Sequence, residues 1–142
     1  MFAISACAAP SAPTPSVTPA APQLLAPADN PYAAQPDDAK RLRAETMLTS
    51  AQLSERIDLD PPRVQVNLLG VMTDACQQLR IQPHLPDGEY RIFIEIYSVS
   101  EPSAKCENVF RQFEVNILLG VYSPGRYTLW VNNQRIGDFV SY

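Results

Sequence analysis

The sequence predicts an all-β fold, a sandwich of about seven short strands preceded by an extended Pro/Ala-rich N-terminal segment. Apolar and polar residues alternate with period two through several runs between Arg63 and Val140. Glycine, proline, asparagine and aspartate punctuate these runs at the intervals sandwich turns need. The segment from Ala8 to Asp38, by contrast, is crowded with prolines, which deprive helices and ladders of donors. The chain has 142 residues. Roughly the last 90 of these carry the core pattern, enough for one domain.

From the N-terminus, residues 8–38 read as an extended polyproline-like tether reaching about 3.1 Å per residue. Residues 39–50 read as a short helix or a polar neck, because Asp37 and Asp38 precede Lys40, Arg41 and Arg43 in the order a helix dipole favours. Residues 51–142 form the sandwich. An edge strand is expected near Leu53 to Leu59. In Arg63-Val64-Gln65-Val66-Asn67-Leu68 the valines and the leucine share one face. Leu79-Arg80-Ile81 continues the pattern, and Pro83 with Pro86-Asp87-Gly88 closes it as a turn.

The run from Tyr90 to Val99 sends Tyr90, Ile92, Ile94 and Ile96 one way and Arg91, Phe93, Glu95 and Tyr97 the other, as a central strand would. Phe110 to Leu119 repeats this with Phe113, Val115, Ile117 and Leu119 inward. Arg126 to Val131 and Gln134 to Val140 make a hairpin about Asn132-Asn133, residues that tolerate positive φ, with Gly137 as a candidate bulge.

Three cysteines divide as two plus one. Cys76 and Cys106 lie in the β-rich part and Cys7 stands alone near the start, the pattern of one disulfide and one anchor in an oxidising compartment. A metal site would need the single histidine, His84, as third ligand, at spacings that match no zinc pattern. Ile4-Ser5-Ala6-Cys7 resembles a bacterial lipobox, and the resemblance implies lipidation of Cys7. Met1 to Ala6 is shorter than the charged and apolar regions of a full signal, so residues 1–7 read as a remnant signal whose native start lies upstream.

Ser123-Pro124-Gly125-Arg126-Tyr127 resembles the tyrosine corner of immunoglobulin-like sandwiches, which implies a structural role for Tyr127 with its hydroxyl bonded back to the preceding connection. No cysteine follows two residues after Tyr127, unlike antibody domains. More widely, Leu69-Gly70, Asp74-Ala75-Cys76-Gln77-Gln78-Leu79, Cys106 and Pro124 to Asn132 are similar to small lipoproteins of green non-sulfur bacteria. That resemblance implies a lipobox, a tether and one disulfide-containing β-sandwich of immunoglobulin-like type, and carries no activity.

A net charge of −4 argues against nucleic acid as partner. No apolar run approaches the roughly 20 residues that span a bilayer as a helix. A nucleophilic hydrolase needs a base, yet His84 sits between prolines in a turn, and Asp58, Asp60, Asp74, Asp87 and Glu89 fall at strand ends and turns. Calcium at Asp58 and Asp60 is conceivable but rests on two acids alone. No enzyme activity, cofactor or metal is therefore expected. Phe93, Tyr97 and Trp130 lie opposite the apparent core, where they form a candidate binding patch for protein or glycan unless a loop or the neck covers them. The expected function is that of an extracytoplasmic lipoprotein, held to the membrane through Cys7, serving as a structural or accessory subunit among other proteins of a membrane-attached assembly. The alternative is an extracellular glycan- or protein-binding module that uses the aromatic sheet face.

Overall fold

The computed structural model describes residues 12–16, 18 and 20–142. Ten strands build the fold, with no α-helix among the described residues. They are β1 (Leu24–Ala26), β2 (Leu42–Glu45), β3 (Met47–Arg56), β4 (Arg63–Met72), β5 (Gln78–Pro83), β6 (Arg91–Ser100), β7 (Arg111–Leu118), β8 (Val121–Tyr122), β9 (Gly125–Val131) and β10 (Gln134–Ser141).

One sheet has the antiparallel order β3-β4-β7. The other runs β10-β9-β6, and β6 pairs further with both β5 and β2. Between the two sheets lie the residues the alternation places inward: Val64, Val66 and Leu68 of β4, Val115 and Ile117 of β7, Ile92 and Ile94 of β6, Leu129 and Val131 of β9. The fold is thus the β-sandwich the sequence predicts. One pairing, β6 with β9, is parallel, which demands a long crossover rather than a hairpin. The chain supplies it by passing through β7 in the opposite sheet before returning as β9.

The hairpin from β9 to β10 turns on Asn132 and Asn133, both at positive φ (44° and 67°). Its register shifts between Arg135 and Gly137. A side chain at Gly137 would meet Leu53, so the bulge sits where β10 closes against β3.

Two N-terminal expectations are corrected. Residues 39–50 are not a helix: a 3-10 turn covers Pro36–Lys40 only, and the chain then enters β2 and β3, so the sandwich begins before residue 51. Here tertiary pairing overrides a local charge bias. The free edge of β6 takes up Leu42 to Glu45, while Ala44, Thr46 and Leu48 turn toward the sandwich and Arg43 and Glu45 away.

The tether likewise does not stay extended to residue 38. Gln23 to Ala26 is a proline-free window between Pro22 and Pro27, so its backbone is free to pair. Leu24 and Ala26 pair with Tyr122 and Val121. The Ser123 N–H donates to the Gln23 carbonyl at 2.9 Å, and the Asp29 N–H to the Leu118 carbonyl at 2.9 Å. Arg63 clasps the segment, donating to Asp29 (2.8 Å), to the Pro27 carbonyl and to the Leu119 carbonyl. Gly120 makes the close approach possible, because any Cβ there would overlap the Ala26 carbonyl and the Leu24 side chain. Further on, Tyr32 packs against the core and accepts the Ile81 N–H at its carbonyl (2.9 Å).

Cys76 and Cys106 are bonded, with Cα atoms 5.7 Å apart. The bridge ties the β4–β5 connection to the β6–β7 connection, and so joins the two crossings between sheets at that end. It closes a loop of 30 residues. By chain entropy such a loop contributes about 3–4 kcal/mol. Reduction, or Cys76→Ala with Cys106→Ala, is expected to lower the melting temperature by roughly 10 °C or more, read by circular dichroism with and without reductant.

Candidate functional site

The outer face of the β10-β9-β6 sheet carries the candidate site. Along one edge of β6, β9 pairs with Arg91 to Ile94 and β2 pairs with Tyr97 to Ser100. Glu95 and Ile96 face the gap between them. Asn132 fills it: its backbone N–H donates to the Ile94 carbonyl at 3.0 Å, its side-chain oxygen accepts the Ile96 N–H at 2.8 Å, and its amide donates to the Ile96 carbonyl at 3.1 Å. One residue therefore sets the hairpin turn and replaces a missing stretch of ladder. A buried backbone group left without such a partner would cost about 1–3 kcal/mol.

Above this gap lies a cleft of about 510 Å³, walled by Arg43 to Thr46 on one side and Asn132 to Gln134 on the other, with Phe93, Glu95 and Tyr97 along β6. Its volume falls within the ~300–1,000 Å³ of small-molecule sites. Phe93 and Trp130 are cross-strand partners in the parallel pair, half-exposed, with ring centroids 6.0 Å apart at 30°. The Trp130 indole N–H donates to the Thr128 hydroxyl at 3.2 Å.

Two of the cleft's charged groups, Arg43 and Glu95, pair with each other, and Glu45 stands on the same wall as Arg43. Glu95 lies 3.5 Å from the Arg43 guanidinium and 3.2 Å from His84 Nε2. Arg43 in turn stacks on Tyr97, 3.7 Å from the ring centroid. At the other end of Phe93, Arg91 stands 5.7 Å from its ring and is held by Asp87 at 2.7 Å. Asp87 shapes the predicted turn by accepting the N–H groups of Glu89 and Arg91, each at 2.9 Å. Partial burial pushes the Asp87 carboxyl up, but the hydrogen bonds from Arg91 and Glu89 outweigh it and hold the group below the usual carboxylate range.

Of the three predicted aromatics, Phe93 and Trp130 stand together and half-buried, whereas Tyr97 is buried. Tyr97 is 7 % exposed, because the segment read as a neck runs across it as β2 and lays Arg43 on its ring. Tyr97 is corrected from open binding residue to the floor beneath Arg43. Arg43 and the Asn132 to Gln134 wall went unrecognised as site residues, since their place depends on β2 and the hairpin flanking β6. Glu95 carried a signal, as it shares the outward face with Phe93 and Tyr97.

Tyr127 is fully buried, in ring contact with Tyr90, Tyr122 and Phe139, and its hydroxyl donates to the Ser123 carbonyl at 2.8 Å. Asp58 is occupied by Arg56 at 2.7 Å, which keeps its carboxyl below the ordinary range through that hydrogen bond. His84 is exposed in the turn after β5. Asp74 lies with Cys76 and Cys106, whose sulfurs are joined in the disulfide. Cys7 lies outside the described residues.

The sequence model of a family described as the ORF11 beta-sandwich domain matches residues 66–141. No curated protein and no solved structure matches the chain.

Proposed function

Because the chain belongs to the ORF11 beta-sandwich domain family, and a sandwich carries its function only in what is grafted on it, we propose that it acts by binding rather than catalysis, as a lipid-anchored extracytoplasmic accessory subunit of a membrane-attached assembly. The disposition of the cysteines carries this reading. Two are spent on a disulfide, a bond that marks an oxidising compartment. The third, Cys7, heads the Pro/Ala-rich stretch behind a lipobox-like Ile4-Ser5-Ala6. No helix among the described residues is long and apolar enough to cross a membrane, so attachment would fall to acyl chains, each buried methylene contributing about 0.8 kcal/mol.

Mass spectrometry of the N-terminal peptide from the native host tests the anchor. The expected result is a Cys7 carrying a diacylglycerol thioether, with the protein in the detergent phase on cloud-point partition, and a Cys7→Ser variant in the aqueous phase. An unmodified Cys7 in the mature native protein would overturn it. A second reading, a ligand-binding module, is favoured by the cleft beside Phe93 and Trp130, whose aromatic faces and paired polar groups suit recognition.

A further inference from the structure

We propose that the cleft between β2 and the β9–β10 hairpin binds a short, uncharged oligosaccharide; this rests on the ligand-binding reading just given. Four observations converge on that class. Phe93 and Trp130 form a paired, half-exposed aromatic platform. The indole N–H is already engaged by Thr128, so what Trp130 offers a ligand is its ring, the surface on which the C–H face of a pyranose packs.

The polar groups beside the platform are planar, and several are fixed. Glu95 is held from both sides by Arg43 and His84, and Arg43 is stacked on Tyr97. Adjacent hydroxyls of a sugar can donate to such a carboxylate and accept from such a guanidinium without either having to be ordered first. Asn133 and Gln134 add exposed amides on the opposite wall.

Charge points the same way. Arg43 and Glu95 pair 3.5 Å apart and Glu45 adds a further acid to the same lining, so the cleft carries no excess of positive charge, which selects against phosphorylated or polyanionic ligands.

Finally, the stretch of β6 that faces the gap is closed to a peptide added as a strand. A peptide binding here as an added strand would need the free ladder groups of β6. The N–H and carbonyl of Ile96 are engaged by the Asn132 side chain and the carbonyl of Ile94 by the Asn132 N–H, so that edge is closed.

Trp130 is the only tryptophan of the chain and stacks on Phe93, which lines the cleft, so its emission reports on the platform at the cleft's margin. The full chain, with its disulfide intact, would be titrated with cellotriose, maltotriose and the trimer of N-acetylglucosamine. At least one should give a saturable change in emission. By calorimetry, Trp130→Ala and Phe93→Ala should each weaken that binding about tenfold or more, while Trp130→Phe, which keeps an aromatic face and the fold, retains most of it. Saturable binding unchanged in both alanine variants would overturn the site. If no saccharide binds but a displayed peptide binds the parent and not Trp130→Ala, the saccharide assignment falls and the ligand-binding reading stands. If neither binds, both fall.

Discussion

Replacing Tyr127 by alanine is expected to cost about 3–5 kcal/mol, the range for emptying a buried aromatic site, and replacing it by phenylalanine only about 1 kcal/mol. The two values separate two jobs. The ring is fully buried and shares contacts with Tyr90, Tyr122 and Phe139, which come from the β6 entrance, β8 and β10. Its removal leaves a void lined by elements that cannot collapse together without bending a sheet. The hydroxyl does something smaller: it donates to the Ser123 carbonyl and lies 3.1 Å from the Ser123 hydroxyl, fixing the β8–β9 connection. Urea unfolding of both variants measures the pair. A phenylalanine variant as stable as the parent would show that this connection is held without the bond.

Arg80→Ala should cost about 2–3 kcal/mol, because it takes two charge-assisted hydrogen bonds from a largely covered acid and leaves it the Arg41 guanidinium at 3.9 Å. Arg80 is 4 % exposed and grips Asp38 through two hydrogen bonds of 2.7 and 3.0 Å. Asp38 also accepts the Gln35 N–H at 2.8 Å, which closes the 3-10 turn. Swapping both residues for apolar ones of similar size should restore much of the loss, as the charge and its partner leave together. The hydrogen bond from Arg80 is the main cause that lowers the Asp38 carboxyl from 3.8 to about 2. A folded-state value below the unfolded one contributes stability that is complete above pH about 4 and is lost as the pH falls through 4 toward 2. Discounted for screening at this edge of the fold, the contribution is on the order of 1–2 kcal/mol. Asp38→Asn should flatten the acid limb of a stability profile between those values, and an unchanged limb would remove Asp38 as its source.

Where one face of a strand meets the core and the other meets water, the sequence could be read directly. Val64, Val66 and Leu68, then Phe113, Val115 and Ile117, and the Asn132-Asn133 hairpin obey a rule that needs only neighbours two residues apart. The missed elements, β1, β2 and β8, are two to four residues long and owe their strand character to a partner distant in sequence. Ala44, for instance, is a strand residue because Ser98 is opposite it. The same limit governed the site. Phe93 and Trp130 were legible as outward aromatics, but whether Tyr97 was open depended on Arg43, which reaches it only through β2. Arg80 shows the limit again: nothing in Leu79-Arg80-Ile81 distinguishes a solvated arginine from one buried against Asp38.

The attachment of residues 23–40 along the flank of the sandwich gives the fold a mechanical character. Its contacts are arranged in series, from Gln23 with Ser123, through Asp29 with Arg63 and Leu118 and Tyr32 with Ile81, to Asp38 with Arg80. A pull on the chain ahead of Gln23 would load these one at a time, as a zipper opens, instead of loading the two large sheets at once. The Arg80–Asp38 pair comes last. Peeling as far as Lys40 would release a contour of about 60 Å, at ~3.3 Å per residue, while the β3-β4-β7 and β10-β9-β6 sheets and the disulfide between their connections stayed closed. Were the chain held from its N-terminal side, the flank would act as a shock absorber, yielding length under load before the folded body had to yield shape.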